Sequence, residues 1–164
     1  MNAGETIDPK AFWRTLGERA TGVTIVTSRG ASGPAGFLGL SASHVSADPP
    51  IMLVSIQDET EALAAVLQSR CFAINYLPAG TRELAEIFSG RRSLKGAERF
   101  EPERWGELTT GAPVLHAALG AFDCTVEGTH RYGTTTLVVG RVVALVAKGS
   151  GEPLLFFRGK YREL

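Results

Sequence analysis

Cysteine is scarce: the 164 residues hold two, Cys71 and Cys124. Both sit in apolar, strand-like contexts, so the sequence offers neither a disulfide framework nor a metal-ligand pattern, and two buried core thiols are expected. The three histidines are scattered without ligand spacing and add no metal site. An excess of charge is missing too, since Lys and Arg together number 17, Asp and Glu number 17, and the formal net charge is +0. That balance gives no long-range field for nucleic acid or an anionic membrane and leaves a small molecule as the expected partner. Apolar runs such as Thr136-Leu137-Val138-Val139 fall far short of the ~20 residues a membrane span needs. The stretch Met1 to Asp8 lacks the basic and apolar regions of a secretory leader, so a cytoplasmic location is expected. No Gly-x-Ser-x-Gly elbow surrounds any serine, which removes that route to a nucleophile. No Gly-x-Gly-x-x-Gly fingerprint marks a Rossmann unit.

What is present is an ordinary globular composition, 44% hydrophobic over 164 residues, enough for one domain across 1–164 with a sizeable core. No repeat, low-complexity tract or linker divides it. Asp8-Pro9 pairs an N-cap acceptor with a residue suited to the first helical position, and Phe12, Leu16 and Ala20 recur at helical spacing, so a helix is read over roughly 9 to 20. Val23 to Thr27 is β-branched throughout and reads as a strand, with Gly30 to Pro34 as the turn of a hairpin. Ile51 to Ile56 is a further strand. Thr60 caps a short helix through Gln68, Cys71 to Leu77 returns as a strand, and Thr81 caps a third helix with Leu84, Ala85 and Phe88 on its inner face. Residues 89 to 112 have few periodic apolar positions and read as a long loop. Ala121 to Thr129, Thr134 to Ala147 and Pro153 to Phe157 then have the spacing of an antiparallel barrel. His116 falls in a helix-like stretch, Val114 to Leu119, as a surface or capping residue.

The most distinctive stretch is Gly36 to Pro50, which runs directly into the apolar strand Ile51 to Ile56. Its small residues and hydroxyls let a backbone approach a flat polar ligand closely, and Pro49-Pro50 stiffens the entry to the strand. A Ser-rich strand edge is also what a solvated face looks like, and a lone capping threonine is often only a cap.

Taken in order, Phe12 to Leu16, Ala20 to Thr27, Gly36 to Pro50, Phe72-Ala73-Ile74-Asn75, Arg99-Phe100, Gly111 to Leu115, Cys124, Pro153-Leu154-Leu155 and Gly159-Lys160-Tyr161 resemble the flavin reductase family. Its members have the FMN-binding split-barrel fold and are small reductase components of two-component flavin monooxygenases. The resemblance spans nearly the whole chain. It implies a mainly β, Greek-key-like split β-barrel with two or three peripheral helices, and a homodimer. It also implies hydride transfer from NADH or NADPH to FMN or FAD, with reduced flavin supplied to a monooxygenase partner. Which flavin and which nicotinamide are used stays open, as does whether the flavin is prosthetic group or substrate. Such chemistry belongs to the cofactor, so no catalytic side chain is demanded. A nicotinamide docking over bound flavin also needs no Rossmann fingerprint.

Carried over by position, the resemblance implies flavin contacts at Phe37, Leu38, Leu40, Ser41, Ser43, Val45 and Ser46. Ser55, Ile56 and Thr60 would serve the ribityl chain and phosphate, Thr60 at a helix start that offers free N–H donors. Lys95 and Arg99 would add positive charge beside a phosphate or adenine-bearing tail. On the nicotinamide or substrate side the candidates are His44, His130, Arg131, Gly133, Thr135 and Tyr161. Two departures stand out. Where the family carries Gly-Asp-His, this chain has Gly133-Thr134-Thr135, and threonine can neither stack as imidazole does nor change charge near neutrality; His130 and Arg131 in the adjacent turn are the candidate replacements. His44 occupies a position usual for a small hydroxyl residue and either tunes the ring or is structural. Tyr161 and Arg158 either cover the flavin or simply close the barrel. The departures keep two other readings in view: a flavin oxidoreductase with another donor or acceptor, such as a corrin, a quinone or a protein, and a flavin carrier without catalysis.

Overall fold

In the computed structural model, which describes residues 6–164, the Asp8 carboxylate accepts from the amides of Lys10 and Ala11 at 3.2 Å each and starts helix α1, Pro9–Leu16. The first five residues, part of the stretch read for a leader, lie outside the described range. The helix stops at Leu16 rather than at residue 20, because Gly17 caps it and the Glu18 and Arg19 amides turn back to the Thr15 and Leu16 carbonyls. None of its residues is buried, and Phe12, Trp13 and Leu16 are left exposed.

Strand β1, Thr21–Gly22, leads into β2, Thr24–Gly30, and β3, Gly33–Gly39, which form the expected hairpin with Val26 opposite Phe37. Then come β4, Ser43–Ala47; β5, Pro50–Gln57; helix α2, Glu61–Ser69; β6, Cys71–Tyr76; and helix α3, Arg82–Phe88. Two 3₁₀ turns, Gly96–Arg99 and Pro102–Arg104, precede β7, Trp105–Glu107, and β8, Pro113–Leu115. Long strands β9, Gly120–Tyr132, and β10, Thr135–Ala147, are followed by β11, Leu154–Phe157, and β12, Lys160–Glu163.

Seven strands form one antiparallel sheet in the order β3-β2-β6-β9-β10-β5-β4. Its two edges, β3 and β4, are consecutive in the chain and joined only by Leu40–Ala42. Laid flat, such edges would stand about 29 Å apart, six gaps of about 4.8 Å. The link from Gly39 to Ser43 can span no more than about 14 Å. The sheet must therefore roll until its edges approach, and it does so without β3 and β4 pairing, which leaves a split at the seam.

The rolled sheet encloses Val26, Val54, Ile56, Phe72, Ile74, Cys124 and Val138, and α2 plugs it with Leu63 and Val66. Gly140 has a packing reason to be glycine: a Cβ there would sit 2.5 Å from the Phe72 ring and 3.0 Å from Cys124 Cβ. Because α3 and the segment after it cover β2 from outside, every residue from Val23 to Ser28 is buried. This explains its unbroken β-branched run.

The segment read as a plain loop over 89 to 112 is a fastened strap. Phe100 and Trp105 pack edge-on and tilted against Phe88, with ring centroids 5.0 and 5.6 Å away. The fully buried Asp123 carboxylate accepts from the Thr109 and Thr110 amides at 2.8 Å each and from the Thr110 hydroxyl. Asn75, also buried, takes the Leu115 amide at 2.8 Å and gives its own N–H to the Ile25 carbonyl. These bonds make 113–115 a strand, so the helix-like stretch expected around His116 is not a helix; His116 is exposed and lies over Gly106. Thr81 precedes α3 as expected, but its hydroxyl donates to the Pro78 carbonyl and does not cap the helix. No helix among the described residues is long and apolar enough to cross a membrane.

Both cysteines are buried and unpaired, and burial, with Asp123 nearby, pushes the Cys124 thiol up to about 12. Neither thiol is expected to react with a disulfide reagent at pH 8 until denaturant unfolds the chain, as a thiol titration with and without urea will check. Asp123→Ala strands buried strap donors and is expected to cost about 3 kcal/mol in urea unfolding.

Candidate functional site

The split between β3 and β4 gathers most of the residues that the flavin-type reading singles out. In β4 and β5, Ser43 faces Leu53, so Ser41 falls where the next partner of Ser55 would lie, but the strand has ended. Its hydroxyl continues the ladder, accepting from the Ser55 amide at 3.4 Å and donating to the Ser55 carbonyl at 3.5 Å. Ser55 sits opposite Leu137, and Leu137 opposite His130. Directly opposed residues share a face, so Ser55, Leu137 and His130 form a row on the outside of the sheet. The next row is Gln57, Thr135 and Tyr132, and the His130 and Tyr132 rings lie 4.6 Å apart. Ser41, Ser43, His44 and Val45 are exposed, and Leu38, Leu40, Ser46 and Ser55 half-buried.

Other candidates fall elsewhere. Ile56 is 1% exposed and Phe37 packs inward against the same core, and the two lie opposite Thr136 and Val26 in the sheet, so neither side chain faces the seam. Leu38, Leu40 and Tyr161 pack against the second apolar cluster, under α3. Tyr161 meets the Phe156 ring at 5.4 Å with the Arg82 guanidinium over its face at 5.8 Å. Burial raises the Tyr161 phenol above its ordinary value, Arg91 and Arg82 oppose that, and Glu86 reinforces it. Arg99 acts as a bracket, donating to the Leu94 carbonyl at 3.0 Å and to the Gly36 carbonyl at 3.3 Å. Lys95 is exposed at the start of the same 3₁₀ turn.

At the end of β5 the chain turns through Asp58 and Glu59 to Thr60, whose hydroxyl caps α2 by accepting from the Leu63 amide at 3.2 Å. The Ala64 amide already bonds the Thr60 carbonyl. The amides of Glu61 and Ala62 remain as the uncapped donors of the first turn, where an anion is favoured. The neighbouring β9–β10 tip is fastened to this corner. Asp58 donates its amide to the Thr134 carbonyl at 3.0 Å, and its carboxylate accepts from the Thr136 hydroxyl at 2.6 Å. Arg131 Nε stands 2.6 Å from the other carboxylate oxygen as an ion contact, while its N–H is directed to the Gly133 carbonyl at 3.1 Å. Asp58 and Thr136 escaped the sequence reading. An acidic residue before a helix looks like a cap, and Thr136 lies inside an apolar run; only the pairing of β5 with β10 joins them.

A flat heterocycle with alternating N–H and C=O groups and an anionic tail fits what the seam offers. Strand β4 pairs with β5 on one side only, which leaves backbone donors and acceptors free along its other side. The residues beside it are small or hydroxylic, and α2 starts close by. An apolar cavity of about 450 Å³ lies elsewhere, lined by Val23, Tyr76, Phe122, Leu145, Val146 and Leu154 among others. A smaller groove of about 350 Å³ separates the β2–β3 turn, α2 and the first 3₁₀ turn.

Residues 16–164 match the family model described as flavin reductase like domain. The chain is 38% identical over 160 residues to the FMN reductase (NADH) RutF 2 of Methylorubrum extorquens, covering 98% of this chain and 92% of that protein. It is 33% identical over 159 residues to the reductase subunit HsaB of a flavin-dependent monooxygenase from Rhodococcus jostii, covering 97% and 80% of the two. Among solved structures, the NADH:FAD oxidoreductase SgcE6 of Streptomyces globisporus superposes with a TM-score of 0.87 at 28% identity, covering 99% of this chain and 98% of that one.

Removing the α2 cap tests the corner directly. Thr60→Ala is expected to lower stability by about 1 kcal/mol, read as a lower urea midpoint with an unchanged slope.

Proposed function

The chain belongs to the flavin reductase-like family, and from that premise we propose that it is a flavin reductase, taking hydride from NADH onto FMN or FAD and supplying reduced flavin to a monooxygenase component. The observation that carries this reading at the level of residues is the seam, where Ser41, Ser55 and the open edge of β4 meet the start of α2. Bound flavin supplies the hydride-accepting centre. The chain's task is to grip and orient. The free side of β4 and the Ser43 hydroxyl meet the polar edge of the ring, the Glu61 and Ala62 amides face its phosphate, and Lys95 with Arg99 adds positive charge towards the tail. The reducing nucleotide lies on the His130, Thr135 and Gly133 side, with His44 and Arg131 at its margins. His130 provides the aromatic surface there, since Thr134 and Thr135 stand where the family has Asp and His. Tyr161 helps to hold β3 from the side of α3.

The same reading includes a homodimer. Phe12, Trp13 and Leu16 are 54%, 67% and 42% exposed, and Leu145 beside the large apolar cavity is 62% exposed. Apolar surface of this extent on a small domain favours a self-complementary partner. Two unpaired thiols fit a reducing compartment, the cytoplasm.

Stopped-flow mixing of the flavin-loaded protein with NADH is expected to bleach oxidised flavin absorbance within seconds, and NADPH more slowly. Retained colour with neither nucleotide bleaching it would overturn the reductase reading in favour of a carrier or of another electron donor. Ser41→Val, which removes the hydroxyl partner of Ser55, is expected to raise the flavin Kd about tenfold, about 1.4 kcal/mol, in a fluorescence-quenching titration. In sedimentation velocity the native chain is expected to run as a dimer, and Trp13→Ser combined with Leu145→Asp as a monomer.

A further inference from the structure

The tip of the β9–β10 turn has no packing of its own to fix it. Gly133, at φ +59°, has nothing within 4 Å of where a Cβ would sit, so the tip projects into open space. Its residues at 134 and 135 are hydroxyls without charge, each limited to the hydrogen bonds one oxygen can make. A ligand contact of that kind depends on placement, because a shift of about 1 Å is enough to lose it.

Placement comes from the corner after β5. Asp58 is the point on which three contacts converge: its amide on the Thr134 carbonyl, its carboxylate under the Thr136 hydroxyl, and the ion contact with Arg131, which itself holds the Gly133 carbonyl. The Asp58 side chain is 16% exposed and Arg131 70%, so the partly solvated ion contact contributes little. The bond to Thr136, itself 8% exposed, carries more, since its acceptor is charged and largely out of water. Two residues further on is Thr60, the cap of α2.

We propose that Asp58 is a positioning residue, which holds the β9–β10 turn with His130 and Thr135 at a fixed place relative to the start of α2, so that the nicotinamide and flavin sides of the site keep one spacing. The proposal rests on the reductase reading above and adds to it a residue outside the seam itself. It acts through Thr136 and Arg131 and does not touch the ligands. Loss of the carboxylate frees the turn, blurs the surface offered to NADH, and leaves the flavin edge of β4 and Ser55 as it was.

The test compares Asp58→Ala, Asp58→Asn, Thr136→Val and Thr136→Ser in the full chain with FMN. Five quantities are read: the flavin Kd, the KM for NADH, kcat, Tm, and amide hydrogen exchange at Gly133 to Thr135. In Asp58→Ala and Thr136→Val the KM for NADH is expected to rise about tenfold and exchange at the turn to accelerate. The flavin Kd should stay within about twofold, since Asp58 and Thr136 share no hydrogen-bond partner with Ser41 or Ser55. Thr136→Ser, which restores the hydroxyl, should recover most of the lost affinity, and Asp58→Asn, which keeps an acceptor without the charge, should fall between. An unchanged KM despite faster exchange overturns the proposal, and so does a loss of flavin affinity, kcat and Tm together, which is the mark of a merely structural role. A native chain that binds FMN but never oxidises NADH fails the reductase reading and takes the proposal with it; exchange at the turn then still reports whether the latch exists.

Discussion

The constraint on which the rest depends is the shortness of Leu40–Ala42. Three residues must connect strands at opposite edges of a seven-stranded sheet, and no flat or gently twisted sheet allows it. Rolling gives the interior its shape and fixes what may fill it, so that Gly140 has to make way for Phe72. It also brings the end of β3, the start of β4 and the end of β5 into one place. Side chains far apart in sequence meet there because the chain is too short to let them stay apart. The seam is therefore a by-product of closure, and it is the place where we propose the flavin is held.

Much of this was legible in the residues. The β-branched run of β2, the hairpin after it, the Asp8-Pro9 and Thr60 helix starts and the burial of both thiols follow from local preference, and the structure has them. The overall order of pieces resembled one family, and the comparisons bear that family out. What was not legible depends on contacts across long separations. The strap after α3 has little periodicity because its order comes from Asp123 and Asn75, buried polar groups on strands β9 and β6. Helix α1 ends early because a cap geometry at Gly17 outweighs the continued spacing to Ala20. Thr81 has the right type for a cap but gives its hydroxyl to a nearer carbonyl.

The candidate site divides the same way. The serines of the seam could be named from the family resemblance, whereas their geometry could not: Ser41 stands in for a missing strand partner of Ser55. Phe37 and Ile56 lie in the segments that the resemblance singles out but alternate into the core, a consequence of strand parity once the register is known. The corner at Asp58 shows the limit most clearly, since its partners are more than seventy residues away. A half-buried carboxylate just after β5 and an exposed turn before β10 acquire meaning only through the pairing of β5 with β10.

Strand β4 leaves one side without a neighbour, and an open edge of that kind invites any passing extended chain to add itself. Here the invitation is short. The strand has five residues, a bulge between His44 and Ser46 breaks its register, and Pro49 and Pro50 follow at once. A peptide seeking a continuous ladder finds a bent, interrupted template, while a compact ring needs only two or three adjacent groups. The irregularity of β4 thus works as a filter on shape, closing to polymers an edge that stays open to small molecules.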